Sequence, residues 1–382
     1  MLWAGWFLFL VGGFVSSGLP VSGFARLSQV QARRVLALFL AAAAFCVAIT
    51  FSPLRSGYAK RARVQGPGDV ALFNAKIARM RGGEGYYEAA GAELRARGYP
   101  TRSVFNWRTP LPIWLIARLP HPAMGKALLC GLGVVMIALA LGVTARLAGT
   151  RSAFLCAALL FGAVMPCFLG DLHAMPVLWA GVLMGISVCL YGNDQWRAGC
   201  LAGLAALFMR ELAAPYCLLA ATLALTSRRR GELAVWAGGF ACYALFFLWH
   251  AWQVAAVSGA HELAHDHGWV RLGGAGFVIS TVQMNAYLLV SPQWLSALYL
   301  AAAMLGLAGW RSALGKRVGL TVCMYVMLFA IVGQPFNQYW GSLIAPLFCF
   351  GAAQAPLALR DLWRRARGVS LETIATLEAT SA

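Results

Sequence analysis

Acid is what this sequence has least of. Thirteen Asp and Glu residues stand against 31 Lys and Arg in 382 residues, and charged residues of both signs make up only 12% of the chain. A soluble domain is about a quarter charged, so a water-facing globule is excluded. Between Asp266 and Asp361 there is no carboxylate at all, which removes acid-built metal sites from that stretch. The ten cysteines all lie inside apolar segments and form no Cys-x-x-Cys. Disulfides and thiolate metal sites are therefore not expected, and these thiols read as small packing residues. No internal repeat or linker marks a second domain. The first 18 residues are apolar but lack the basic start of a cleaved signal peptide, so they read as a membrane helix.

Apolar residues, by contrast, are abundant: 60% of the chain is hydrophobic, with mean hydropathy +0.70. They come as runs near 2–18, 35–52, 124–145, 152–170, 176–191, 198–226, 233–257, 276–310, 318–333 and 342–358. Such runs approach or exceed the roughly 20 residues that span a bilayer. In lipid each segment must satisfy its own backbone polar groups, so these are helices or broken helices. The fold class expected is all-α: a polytopic membrane protein with about nine to eleven transmembrane or re-entrant helices. A single integral domain over 1–367 is expected, followed by a flexible tail over 368–382. Residues 198–226 carry Arg210-Glu211 and Pro215 in their middle and predict a pair of short helices. Gln283 and Asn285 predict that 276–290 lies along the membrane surface.

The formal charge of +18 would suggest nucleic acid in a soluble chain. Here no basic helix or aromatic-interleaved patch lies outside the membrane loops, so no nucleic-acid partner is expected; basic loops meet anionic lipid instead. The short loops between Arg26 and Arg367 that hold sixteen Lys/Arg alternate with loops 171–175, 258–275 and 334–341, which hold Arg271 alone. That asymmetry places the basic loops and the C-terminus in the cytoplasm. The long polar stretch 53–120 then faces outward despite twelve basic residues, since loops of this length translocate regardless of charge.

That stretch is the largest water-facing surface available for chemistry. It carries Glu84, Glu88, Glu93 and Asp69, with Tyr86-Tyr87 between the first two. Tyr87, Gly91 and Leu94 recur at helical spacing and Gly98 suits a C-cap, so a surface helix with solvated acids is one reading and a reacting carboxylate the other. Asp171-Leu172-His173 is either a polar turn or part of an outward cavity. Arg210-Glu211, at membrane depth, is either a self-contained ion pair or the support of a polar site. His261-Glu262-Leu263-Ala264-His265 matches the H-E-x-x-H zinc-protease pattern. Its extended form would need histidine where Arg271 stands. With no third ligand in place, no metal is expected, and a polar outward loop is the alternative.

The order of features is informative. Gly83-Glu84-Gly85-Tyr86-Tyr87, then Ala89-Ala90 and Leu94, then Gly98-Tyr99-Pro100, then Asn106-Trp107-Arg108-Thr109-Pro110-Leu111-Pro112, leads directly into apolar segments. This resembles the first luminal loop of the GT-C glycosyltransferases, multi-span enzymes that use polyprenyl-phosphate sugars, in particular the protein-mannosyltransferase-like and aminoarabinose-transferase-like groups. The glycine-spaced 198–209 ending in Arg210-Glu211, and Gln338-Tyr339-Trp340 with Ala345-Pro346-Leu347, are similar to later parts of that family. The sequence departs from the pattern in having Gly83-Glu84 where an acid pair is usual, and Asn337-Gln338 where a basic residue often precedes the last helix.

The resemblance implies a GT-C-like fold and an inverting transfer of sugar from a polyprenyl-phosphate donor to a lipid or glycan acceptor on the outer face of a bacterial inner membrane. It implies no cofactor. Glu84 falls at the family's acidic position and is the expected base. Arg108 is the expected phosphate partner, with Arg210 and His173, and with Tyr86, Tyr87 and Glu88, completing the expected substrate-binding set. A transporter or flippase of lipid-linked sugars, whose path the same residues would line, is the alternative; so is a membrane metalloprotease built on His261 and His265.

Overall fold

Ser28 opens the first helix. Its hydroxyl accepts from the Gln31 N–H, and the Gln31 side chain accepts from the Ser28 N–H, the reciprocal arrangement that satisfies two orphan donors of a first turn. The computed structural model describes residues 21–52, 68–259 and 272–369. The apolar block 2–18, the His261–His265 motif and the end of the expected tail lie outside the described residues. Helix α1 covers Gln29–Thr50. The polar stretch contributes α2 (Gly68–Arg81), α3 (Tyr86–Ala96), α4 (Val104–Trp107) and α5 (Leu111–Arg118). There follow α6 (Pro122–Ala148), α7 (Thr150–Val164), α8 (Pro176–Gly192), α9 (Trp196–Met209), α10 (Ala214–Thr226) and α11 (Arg230–Val257). The chain continues through α12 (Gly274–Val282), α13 (Ala286–Leu289), α14 (Gln293–Gly309), α15 (Ala313–Ile331) and α16 (Ala345–Ala366). Short 3₁₀ turns interrupt it, among them Leu172–Ala174, Glu211–Ala213 and Pro335–Leu343. No strand occurs among the described residues.

Among the described residues five helices, α1, α6, α7 extended to Phe168, α11 and α15, are long and apolar enough to cross a membrane. A sixth span results if Pro335–Leu343 and α16, bent by 67°, count as one. Four more apolar helices (α8, α9, α10 with its preceding turn, and α14) are shorter. The longest of these, at 17 residues, reaches about 25 Å at 1.5 Å per residue, short of the roughly 30 Å hydrocarbon core. Among the described residues five or six helices are thus long enough to span, against the nine to eleven transmembrane or re-entrant helices expected. The block 276–310 does not run as one piece or as a single surface segment. Asn285 starts a new turn by accepting from the Tyr287 N–H, and Pro292 starts α14.

Polarity is distributed inside out. Phe45, Phe154, Leu245 and Trp252 are each about two-thirds exposed, whereas Thr144, Ser187, Glu232, His250, Thr321 and Gln354 are buried. A helix apolar all round with its few polar groups turned inward belongs in lipid. Helix α8 is buried along nearly its whole length and forms the axis on which α6, α9 and the Pro335–Leu343 turn pack. Glycine permits a close approach of two helices in the bundle. A Cβ on Gly306 would strike the Gly351 carbonyl, and one on Gly351 would strike the Ala303 carbonyl, so α14 and α16 touch backbone to backbone.

Candidate functional site

Helix α2 turns Asp69, Leu72, Phe73, Lys76 and Ile77 to one side, at helical spacing; all but Asp69, which is partly buried, are buried. The Tyr99 hydroxyl donates to Asp69 Oδ1 at 2.9 Å. Lys76 is fully buried; its Nζ donates to the Trp107 carbonyl at 3.4 Å and lies over the rings of Phe73 and Tyr86. Burial, then the nearby Arg108 charge, lowers the Lys76 ammonium to about 7, against opposing pulls from Asp69 and Glu93. The Tyr86 hydroxyl donates to the same Trp107 carbonyl at 2.7 Å and lies 3.0 Å from the Arg108 carbonyl. Burial pushes the Tyr86 phenol upward, so it remains a donor.

These contacts fix the backbone at Arg108, which has φ +64°. A side chain in the left-handed region costs about 1–3 kcal/mol and persists only where its surroundings impose it. Buried Trp107, anchored by its Nε1–H to the Thr101 carbonyl at 2.8 Å, and the Tyr86 hydroxyl supply that constraint. The result aims the Arg108 guanidinium at the helical bundle. One of its nitrogens lies 3.3 Å from the Tyr339 hydroxyl, on the turn before α16, and another lies 3.8 Å from Glu211 Oε1.

Arg210 arrives from the opposite side, at the break between α9 and α10. Helix α9 ends because Arg210 is extended (φ −154°, ψ 123°). Its side chain is 2% exposed and its Nε lies 3.4 Å from Glu211 Oε1. That is close enough for charge attraction but lacks the alignment of a hydrogen bond, and its buried NH2 nitrogen also has no hydrogen-bond partner among the described residues. Two guanidinium groups thus share one carboxylate oxygen at the seam between the polar segment and the bundle. Asp69 is near enough to act on the charges of Lys76, Arg108 and Arg210.

Of the residues the sequence singles out, Arg108 and Arg210 come together, and Tyr86 supports the first of them. The others have different surroundings. Both Glu84 oxygens accept from Arg79 at 2.7 Å across the Gly82-Gly83 turn, on a partly exposed surface. Arg79 also donates to Glu93 at 2.8 Å, and Arg97 to the same carboxylate at 3.1 Å. Those hydrogen bonds, Arg79 first, hold Glu93 below the ordinary carboxylate range. No hydrogen bond or ion pair joins Glu84 to Arg108 or Arg210 among the described residues. Glu88 caps α3 by accepting from the Gly85 N–H at 3.2 Å. The Tyr87 hydroxyl meets His250 Nδ1 at 2.9 Å and its ring packs edge-on against Trp249, which docks α3 on α11. His173 is buried, with no hydrogen-bond partner at Nδ1 among the described residues, and burial keeps its imidazole below the usual value. Its nearest charges are Asp171 and Lys126, so it stands apart from the arginines.

Asp69, Lys76 and Tyr339 are the members of the cluster that sequence reasoning passed over as site residues. The available signal for the first two was the seven-residue spacing that places them on one face of α2. Among the described residues no group of three or more His, Cys, Asp or Glu side chains is placed to hold a metal ion. No family model, curated protein or solved structure matches this chain.

Proposed function

We propose that the chain is a GT-C-like membrane glycosyltransferase that moves a sugar from a polyprenyl-phosphate donor to a lipid or glycan acceptor on the outer face of a bacterial inner membrane. The observation that supports this best is the convergence of Arg108 and Arg210 on a single carboxylate, with a guanidinium nitrogen of Arg210 left buried and unpartnered. Buried cations in excess of their acids want an anion, and the guanidinium fork matches phosphate. A donor phosphate seated there would leave with the electron pair of the broken sugar–oxygen bond, while the acceptor oxygen forms the new one.

The acceptor proton needs a base. Asp69 is the carboxylate of the polar segment whose charge reaches Lys76, Arg108 and Arg210 alike, while Glu84 is engaged by Arg79. In this reading Asp69 takes the proton, a role that typically contributes about 10²–10⁴-fold. Glu84 then braces the turn between α2 and α3, and His173 has no direct part. The C-terminus and basic loops are cytoplasmic and the segment 68–118 is periplasmic.

Asp69→Asn and Glu84→Gln, assayed in membranes supplied with a polyprenyl-phosphate sugar, separate the two acids. Asp69→Asn is expected to lose transfer at least 100-fold, and Glu84→Gln to stay within a few-fold of the parent. The reverse ranking restores Glu84 as base. Movement of the intact lipid-linked sugar across the membrane with no transfer to any acceptor would replace the enzyme reading with a carrier.

A further inference from the structure

At the far end of the bundle from the arginine pair's polar segment, a second polar site is built into the helix ends. A cavity of about 80 Å³ opens between Val21-Ser22, the ends of α6 and α14, the start of α15 and the side of α16. One water needs about 10–15 Å³ of such space, so this one takes several waters or a small polar head. Gln354, Trp310, Ser22 and Arg311 line it. Gln354 is 2% exposed, and neither its amide nitrogen nor its amide oxygen has a hydrogen-bond partner among the described residues. The Trp310 Nε1–H and the Ser22 hydroxyl are likewise buried and unpartnered.

Four orphaned polar atoms around one hollow need an explanation, since each costs free energy when left dry. The charge beside them is positive. Arg311 lies across Gly23 and forms no hydrogen bond or ion pair among the described residues. The nearby carboxylate of Asp361 is already occupied, by two Arg360 nitrogens at 2.7 and 2.8 Å and by the Ser22 N–H at 2.7 Å. The orphans are mostly donors, with one amide oxygen and one hydroxyl able to accept. Leu147, Ala148, Leu357 and Ala358 supply the apolar part of the wall.

We propose that this cavity is a headgroup site for an anionic phospholipid with a hydroxylated head, in which Arg311 meets the phosphate and Gln354, Trp310 and Ser22 hold the head's hydroxyls. The site is independent of the glycosyl-transfer reading. Its position among the ends of α6, α14 and α15 lets one bound lipid tie those helices to the segment leading into α1.

The full chain in phosphatidylcholine nanodiscs tests it. Adding phosphatidylglycerol is expected to raise the thermal midpoint saturably. Gln354→Met, of similar volume and without the orphaned amide, is expected to raise the midpoint in phosphatidylcholine alone and to weaken the phosphatidylglycerol response at least tenfold. Arg311→Gln is expected to weaken that response at least tenfold with the phosphatidylcholine midpoint unchanged. A parent protein indifferent to phosphatidylglycerol, or variants that respond as the parent does, would overturn the site. Equal stabilisation by soluble glycerol 1-phosphate would overturn its assignment to a lipid.

Discussion

Lys76 gives the sharpest physical test of the cluster, because its replacement should stabilise the protein in a pH-dependent way. Its ammonium is fully buried, and a single long hydrogen bond to Trp107 meets its charge directly. Burial lowers it from 10.5 to about 7. At 1.36 kcal/mol per tenfold change in proton affinity, that gap corresponds to roughly 5 kcal/mol of stability forgone at low pH. The unfolded chain binds more protons here than the folded one, so stability must rise with pH between about 7 and 10.5. From pH 7 to pH 9 the gain from this one group is about 2 kcal/mol. Lys76→Met removes the titration and keeps most of the side-chain volume. The Trp107 carbonyl still accepts from Tyr86, so no acceptor is orphaned. The assay is the thermal midpoint of detergent-solubilised protein, followed by tryptophan fluorescence at pH 7, 8 and 9. The variant should melt higher at pH 7, and its advantage should shrink by about 2 kcal/mol at pH 9, or roughly 2–3 °C in a chain of this size. A difference that stays flat across the range would refute the burial of a charge-suppressed lysine at this place.

Two further outcomes follow from packing and charge. Gly351→Val should cost about 3 kcal/mol, because its side chain would meet the Ala303 carbonyl and Leu307; Gly131→Ala, inside α6 with open space around it, should leave the thermal midpoint equal or slightly higher, and equal midpoints for the two variants would refute the backbone contact of α14 with α16. Arg210→Met should leave folding stability equal or about 1–2 kcal/mol higher, since a desolvated and poorly paired charge is replaced by an apolar group, yet reduce sugar transfer at least tenfold; a matched loss of stability and transfer would mark Arg210 as merely structural.

The membrane class and the helix break at Arg210 were legible because each has a local cause. Long apolar runs admit no alternative to helix in lipid, and Arg210-Glu211 with Pro215 interrupts one of them at the place where α9 gives way to α10. Helix α3 was legible for the same reason: Tyr87, Gly91 and Leu94 share its period, and Gly98, at φ +66°, ends it as a left-handed residue. Asp69 was not legible as a site residue. Its nearness to Arg108 and Arg210 is created by the packing of α2 beneath Trp107 and of both against the bundle, which no local pattern encodes. Glu84 drew attention by its place before two tyrosines. What the linear order hid was Arg79, which the Gly82-Gly83 turn brings back onto both of its oxygens.

The distribution of cost within the fold separates these two carboxylates more firmly than their order in the chain does. Glu84 sits where nothing is strained: partly exposed, doubly hydrogen-bonded, and in a position where an ion pair contributes little to stability. Around Asp69 the local rules fail together. Arg108 holds a left-handed backbone, Arg210 carries buried nitrogens without hydrogen bonds among the described residues, and burial pushes the Lys76 ammonium down to about 7. Each departure alone could be absorbed by a protein of this size. Arg108 and the α9–α10 break meet at Glu211, Arg108 also reaches Tyr339, and Lys76 of α2 lies behind them on the Trp107 carbonyl; concentrated expense of this kind is what a ligand site would repay. An anion beside these cations would relieve two of these costs at once, by pairing Arg210 and by raising the proton affinity of Lys76. If the proposed phosphate-bearing ligand binds here, its binding should be accompanied by proton uptake near neutral pH, measurable as a buffer-dependent binding enthalpy.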